Sequence, residues 1–279
     1  MEYIQNQKFD QERALYNLKD TLVYNCHFEG AADGESALKE CRSVIVNYSR
    51  FALRYPLWHA QKYEIRNSFF CTTSRAPIWY AVGGKLERCQ IYSVKAVREC
   101  EDLEINNSTI ISEEFGWRSK NIRVHQTKLE SEYAFFESKD LELDSVTFKG
   151  KYSFQYVENA KISNCQFDTK DALWHCKNVI VTNSVINGQY LGWFSNGLTL
   201  IHCKIIGTQP LCYCENLKLI DCEMVDCDLS FEYSDVNASI NGYIKSIKNP
   251  KSGVIEVNKV GEIITTDSIM ENSCEIVIK

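Results

Sequence analysis

The sequence predicts an all-β solenoid: a single-stranded right-handed parallel β-helix of about twelve coils, mostly 19 residues each, with terminal caps. Three observations predict it. A short apolar pattern recurs every nineteen residues, a second strand-like segment rich in aromatic residues follows each copy, and no repeat carries a helical apolar period.

Taken in order, residues 1–20 read as an N-terminal cap, with the apolar part of ERALYNL folded over the first coil. The repeats occupy residues 21–248. TLVYNCHF starts at Thr21, VIVNYSRF at Val44, YEIRNSFF at Tyr63 and, after a two-residue insertion, GKLERCQI at Gly84. The spacing is then constant through LEINNSTI at Leu103, IRVHQTKL at Ile122, LELDSVTF at Leu141, AKISNCQF at Ala160 and VIVTNSVI at Val179. LTLIHCKI at Leu198, LKLIDCEM at Leu217 and a degraded VNASINGY at Val236 complete the series. Residues 249–279 lose the register and read as a C-terminal β cap, all within one structural domain.

Each block alternates apolar and polar residues over its first places, as a half-buried strand does. A small residue follows at the sixth place and an apolar one at the eighth. Asn121, Asp140, Asn159, Asn178, Asn216 and Asp235 stand just before a new block, where a turn is needed. Stacking the coils converts every place into a column. The sixth-place column contains Cys26, Cys89, Cys165, Cys203 and Cys222, and the column three residues before each block contains Cys41, Cys100, Cys176 and Cys214. Nine of the thirteen cysteines are thereby explained as small core residues rather than as a disulfide framework.

All five tryptophans share one column, Trp58, Trp79, Trp117, Trp174 and Trp193, which Arg98, Gln155 and Cys212 interrupt. Strict alternation would turn this column inward as a packed aromatic stack, whereas a bulge would turn it outward as platforms for sugar rings. The adjacent column, with His59, Tyr80, Glu99, Arg118, Glu137, Tyr156, His175, Phe194 and Tyr213, holds too many charges for a thin core and is expected to face outward. Glu99 and Glu137 lie two coils apart, so their backbones are about 9.5 Å apart, near the upper limit for the carboxylate pair of an inverting glycosidase. Arg118 between them would bind an acidic sugar or neutralise both carboxylates. A lyase would instead need a base and a cation at a uronate, and Arg118 is the first candidate. The candidate catalytic residues are therefore Glu99, Arg118, Glu137 and His175. The candidate ligand-binding residues are Trp117, Gln155, Tyr156, Trp174 and Trp193. The competing reading of the same columns is a solvated ladder of ion pairs.

The formal net charge of −6 argues against a nucleic-acid partner, and no apolar run has the length of a membrane span. The first residues lack the apolar core of a signal peptide, so a cytoplasmic location is the expectation. Cys212, Cys214, Cys222 and Cys227 near His202 hint at zinc, but Cys214 and Cys222 already belong to core columns. Neither metal nor cofactor is expected. GESALKE, from Gly34, offers Glu35, Lys39 and Glu40 in the longest insertion.

Several segments lie outside what the repeat demands: QERALY, GESALKE, RYPLWH, RAPIWY, KDALWH, GQYLGW, GTQPLCY, LSFEYS and IKSIKNPKSG. With them the chain resembles, over nearly its whole length, a bacterial family classed as a domain of unknown function and similar to the pectin-lyase-like β-helices. That resemblance implies the fold and brings no activity with it. Two functions stay open: binding or processing an oligosaccharide on the aromatic and charged face, or a non-catalytic scaffold that binds a protein partner or itself, a homodimer included.

Overall fold

The structure, a computed structural model, describes residues 2–279. Every regular element among them is a β-strand, and the chain is a parallel β-solenoid of about fifteen turns with about nineteen residues per turn. The turns outnumber the twelve read from the sequence because both ends coil. Glu2–Gln5 pairs in parallel with Thr21–Tyr24, Glu2 opposite Thr21. At the other end Asp235–Lys248, Ser252–Ile264 and Glu275–Ile278 pair in parallel, one after another. The chain divides into two compact units, Met1–Glu142 and Leu143–Lys279.

In the first unit one coil shows how the pattern folds. Along Glu101–Asn106 the alternate residues Leu103 and Ile105 are buried, while Glu104 and Asn106 face out. Asn107 then adopts a left-handed backbone, φ 51°, and turns the chain into Thr109–Ile111, where Ile110 is buried. The residue before nearly every block is also left-handed, as at Asp102 and Asn121, φ 55° and 52°. Asn and Asp tolerate this conformation better than most residues, which is why they mark the corners. The eighth-place residues Phe9, Phe28, Phe51 and Phe70 stack inside, with centroid separations of 5.5, 4.7 and 4.5 Å. Fully burying such a ring contributes about 1.5–3 kcal/mol.

The small columns do more than fill space. The Ser49 hydroxyl accepts the Cys26 backbone N–H at 3.1 Å, Ser68 accepts that of Ser49 at 3.1 Å, and Ser108 accepts that of Cys89 at 3.0 Å. At these corners the backbone amide thus donates to the hydroxyl of the next coil, which satisfies a buried N–H. GESALKE forms a regular side of the second coil: the Arg13 and Leu15 amides donate to the Glu35 and Ala37 carbonyls at 2.9 and 2.8 Å.

The second unit repeats the plan. Ala160, Ile162, Val179, Val181, Leu198, Leu200, Leu217 and Leu219 are buried at the alternate places. The Ser184 hydroxyl accepts the Cys165 amide at 3.0 Å, and Ser195 donates to the Cys214 sulfur at 3.2 Å. Burial pushes the Cys214 thiol up to about 11 and those of Cys212 and Cys227 to about 12.

Candidate functional site

The tryptophan column faces neither squarely in nor fully out. Leu57 and Ala60 are buried, and between them Trp58 is half-buried and His59 exposed. Two successive residues face outward because the second is a left-handed corner: φ is 55° at His59, 49° at Glu99, 51° at Arg118, 55° at Glu137, 57° at Tyr156 and 54° at His175. This corner breaks strict alternation. Its amide is satisfied one coil further on, as His59 donates to the Trp79 carbonyl at 3.0 Å and Glu99 to that of Trp117 at 2.8 Å.

Four of the five indole nitrogens donate to the backbone, and that of Trp79 is buried without a hydrogen-bond partner. Trp58 donates to the Ala76 carbonyl at 3.2 Å, Trp117 to Tyr133 at 2.6 Å and Trp193 to Gln209 at 2.7 Å, and Trp174 donates to Tyr190. Gln155, which replaces tryptophan in the column, makes the same bond with its side-chain amide, to Asp171 at 3.1 Å. Each of these side chains clamps its own coil to the next.

In the first unit the column runs Trp58, Trp79, Arg98, Trp117 and Phe136. Trp58 and Trp79 meet edge to face at 5.2 Å, and Trp117 and Phe136 are tilted at 5.2 Å. The Arg98 guanidinium lies 5.1 Å from the Trp79 ring and 5.2 Å from that of Trp117, a cation held between two aromatic faces. It also contacts Glu114 at 3.2 Å and Glu99 at 3.6 Å. The Arg118 Nε donates to Glu137 at 2.8 Å, and this hydrogen bond, with the nearby charges of Glu137 and Glu99, raises the Arg118 pKa. Glu99, Arg118 and Glu137, singled out from the sequence, therefore stand together, and Trp117 is beside them. Arg98 and Glu114, absent from that set, tie the group down. Arg98 was legible only as a break in the tryptophan column.

In the second unit the outward column is a stack of parallel rings. Tyr156 and His175 are 4.8 Å apart at an interplanar angle of 4°, His175 and Phe194 4.9 Å at 8°, and Phe194 and Tyr213 4.8 Å at 11°. Behind it Trp174 and Trp193 stack at 5.3 Å and 4°. The sequence-derived residues Gln155, Tyr156, Trp174, His175 and Trp193 are thus continuous with Phe194 and Tyr213, two neighbours that the candidate set lacked. Face-to-face stacking at the strand spacing leaves ring edges, not faces, toward solvent.

Among the described residues no group of three or more His, Cys, Asp or Glu side chains converges as a metal site. No helix among them is long and apolar enough to cross a membrane.

Comparison with known proteins gives distant likenesses in structure. PfbA, a surface adhesin of Streptococcus pneumoniae, aligns at a TM-score of 0.49 and 6% identity, covering 86% of this chain and 84% of that one. The catalytic domain of a GH87 alpha-1,3-glucanase aligns at 0.33 and 9%, covering 99% and 63%. The periplasmic alginate epimerase AlgG aligns at 0.32 and 9%, covering 94% and 78%. At such values none of them transfers an activity. No curated protein matches the sequence. A family model does match, over residues 2–278, and the chain belongs to that family, described as "Protein of unknown function (DUF3737)".

Proposed function

We propose that the protein is a non-catalytic solenoid that serves as a protein-interaction scaffold, and that its aromatic and charged columns join coil to coil. One observation carries this reading: the rings a sugar would need as platforms already cover one another. Tyr156, His175, Phe194 and Tyr213 are stacked in series, and Trp174 and Trp193 are stacked behind them. A pyranose packs on an aromatic face, and these columns offer edges. Exposed aromatic side chains suit protein–protein interfaces, where Tyr, Trp and Phe are enriched relative to the rest of the surface. Tyr156 and Phe194 are 46% and 44% exposed.

A second reading, an acidic oligosaccharide held at Arg118 between Glu99 and Glu137, has one observation in its favour. The Arg118 and Glu137 side chains are 50% and 45% exposed and so within reach of a ligand. A glycan array probed with the wild type, Trp193→Ala, Arg118→Ala and Glu137→Ala separates the two. The scaffold reading expects no glycan retained by the wild type. It also expects Arg118→Ala to change stability only slightly, with the difference fading in high salt. A glycan that binds the wild type and is released by Glu137→Ala or Arg118→Ala overturns it.

A further inference from the structure

We propose that Cys203 and Cys222 are a redox-modification site, a dithiol that closes reversibly to a disulfide between two adjacent coils. The register places them. Lys204–Ile206 pairs with Leu217–Val225, Lys204 opposite Glu223, so the residues just before these, Cys203 and Cys222, are also neighbours. Parallel strands lie about 4.8 Å apart, inside the Cα range of disulfides. Both side chains are interior, 2% and 0% exposed.

The placement differs from that of the other column cysteines. In the same column Ser184 precedes Cys203, and Ile240 lies opposite Cys222. In the parallel column Ser195 lies between Cys176 and Cys214 and donates to the Cys214 sulfur at 3.2 Å. At 203 and 222 thiol meets thiol. Both thiols donate to backbone carbonyls, Cys203 to Ile201 at 3.3 Å and Cys222 to Leu200 at 3.3 Å. The contact between them lowers the pKa of the Cys203 thiol against the opposing effect of burial and, with burial, raises that of Cys222. Most column thiols go the other way: burial raises Cys89, Cys100, Cys165 and Cys214 to about 11. Cys203 also helps line an open groove of about 420 Å³ with His202, Lys204, Asp221 and Glu223. Its thiol lies on the interior side, so a small oxidant reaches it by local opening of the coil.

The chemistry balances with a peroxide as oxidant. The Cys203 thiolate attacks the O–O bond of hydrogen peroxide, giving a sulfenic acid and, after protonation, one water. The Cys222 sulfur displaces the sulfenic hydroxyl, which leaves with the Cys222 proton as a second water, and the S–S bond forms. Two thiols are oxidised by two electrons and the peroxide is reduced by two. Side chains stacked in register keep their Cβ atoms near the strand spacing, wider than a relaxed disulfide, so closing the bond strains it and keeps it reducible by a thiol.

The test treats the full chain with hydrogen peroxide, alkylates the remaining thiols and digests it with trypsin. The expected product joins the peptide Asn178–Lys204 to Leu219–Lys245, about 2 Da lighter than the sum of its parts, and thiol reductant restores both peptides. Cys227 shares the second peptide, so Cys227→Ser should leave the link in place and Cys222→Ser should abolish it. Serine already occupies this column at 184, which favours folding of Cys222→Ser, and dimedone should then trap the sulfenic acid at Cys203. A chain that oxidises elsewhere first, links through Cys227, or leaves Cys203 unmodified overturns the proposal.

Discussion

Gly84 makes room for Tyr63. The two are register partners on adjacent coils, and a Cβ at 84 would overlap the Tyr63 ring and hydroxyl. Tyr63 takes the first inward place of its block, filled elsewhere by Val44, Leu103, Ile122 or Val179, and is 3% exposed. Its hydroxyl is buried without a hydrogen-bond partner. Gly84→Ala should therefore cost about 1–3 kcal/mol by overpacking. Tyr63→Phe should be neutral or stabilising, because it removes an unpaired polar atom whose burial costs about 1–3 kcal/mol. Urea unfolding of these two variants, of Tyr63→Val and of Tyr63→Val combined with Gly84→Ala checks the pairing. If Gly84→Ala costs the same in the Tyr63→Val background, the two sites are independent and the explanation fails.

Trp193 makes two separable contributions in the second unit: a stack on Trp174 at 5.3 Å and an N–H donated to the Gln209 carbonyl at 2.7 Å. Trp193→Phe keeps most of the stack and leaves the carbonyl without its donor, a loss of about 1 kcal/mol. Trp193→Ala removes both and should cost about 3 kcal/mol, at the low end for a large aromatic because the ring is only half-buried. Thermal melts of the two variants rank the terms. Equal losses would mean that the hydrogen bond, not the stack, holds the coils together there.

These residues also show what could be read in advance. The nineteen-residue period exposes the columns because every coil repeats the same environment, so the cysteine columns were legible as packing. The direction of the tryptophans was not legible. It depends on the left-handed corner at His59, Glu99, Arg118 and Glu137, and those residue types do not advertise such a backbone as Asn121 or Asp140 do. The first coil was masked for a related reason. Its block EYIQNQKF has Glu2 at the first inward place and Gln7 at the small one, so only Ile4 and Phe9 keep the pattern. The serine-to-amide hydrogen bonds could not be inferred from smallness, which is all that a column of Ser and Cys reveals.

Asp171 gives stability a pH dependence with a definite sign. It is 6% exposed, and burial raises its pKa, with the Lys170 charge opposing. Since the folded value lies above the unfolded one, the folded state holds its proton more tightly, and stability falls as pH rises through the folded value. Below the unfolded value, roughly pH 4, both states are protonated and the penalty vanishes. Asp171→Asn is neutral at every pH and retains the backbone bonds at this corner, where the Asp171 amide donates to the Gln189 carbonyl at 3.0 Å and its own carbonyl accepts from Gln155. The variant should be more stable than the wild type at neutral pH, and the advantage should shrink toward zero near pH 3. Paired urea titrations at the two pH values measure it. An advantage of equal size at both would show that packing around the side chain, not the carboxylate charge, sets the difference.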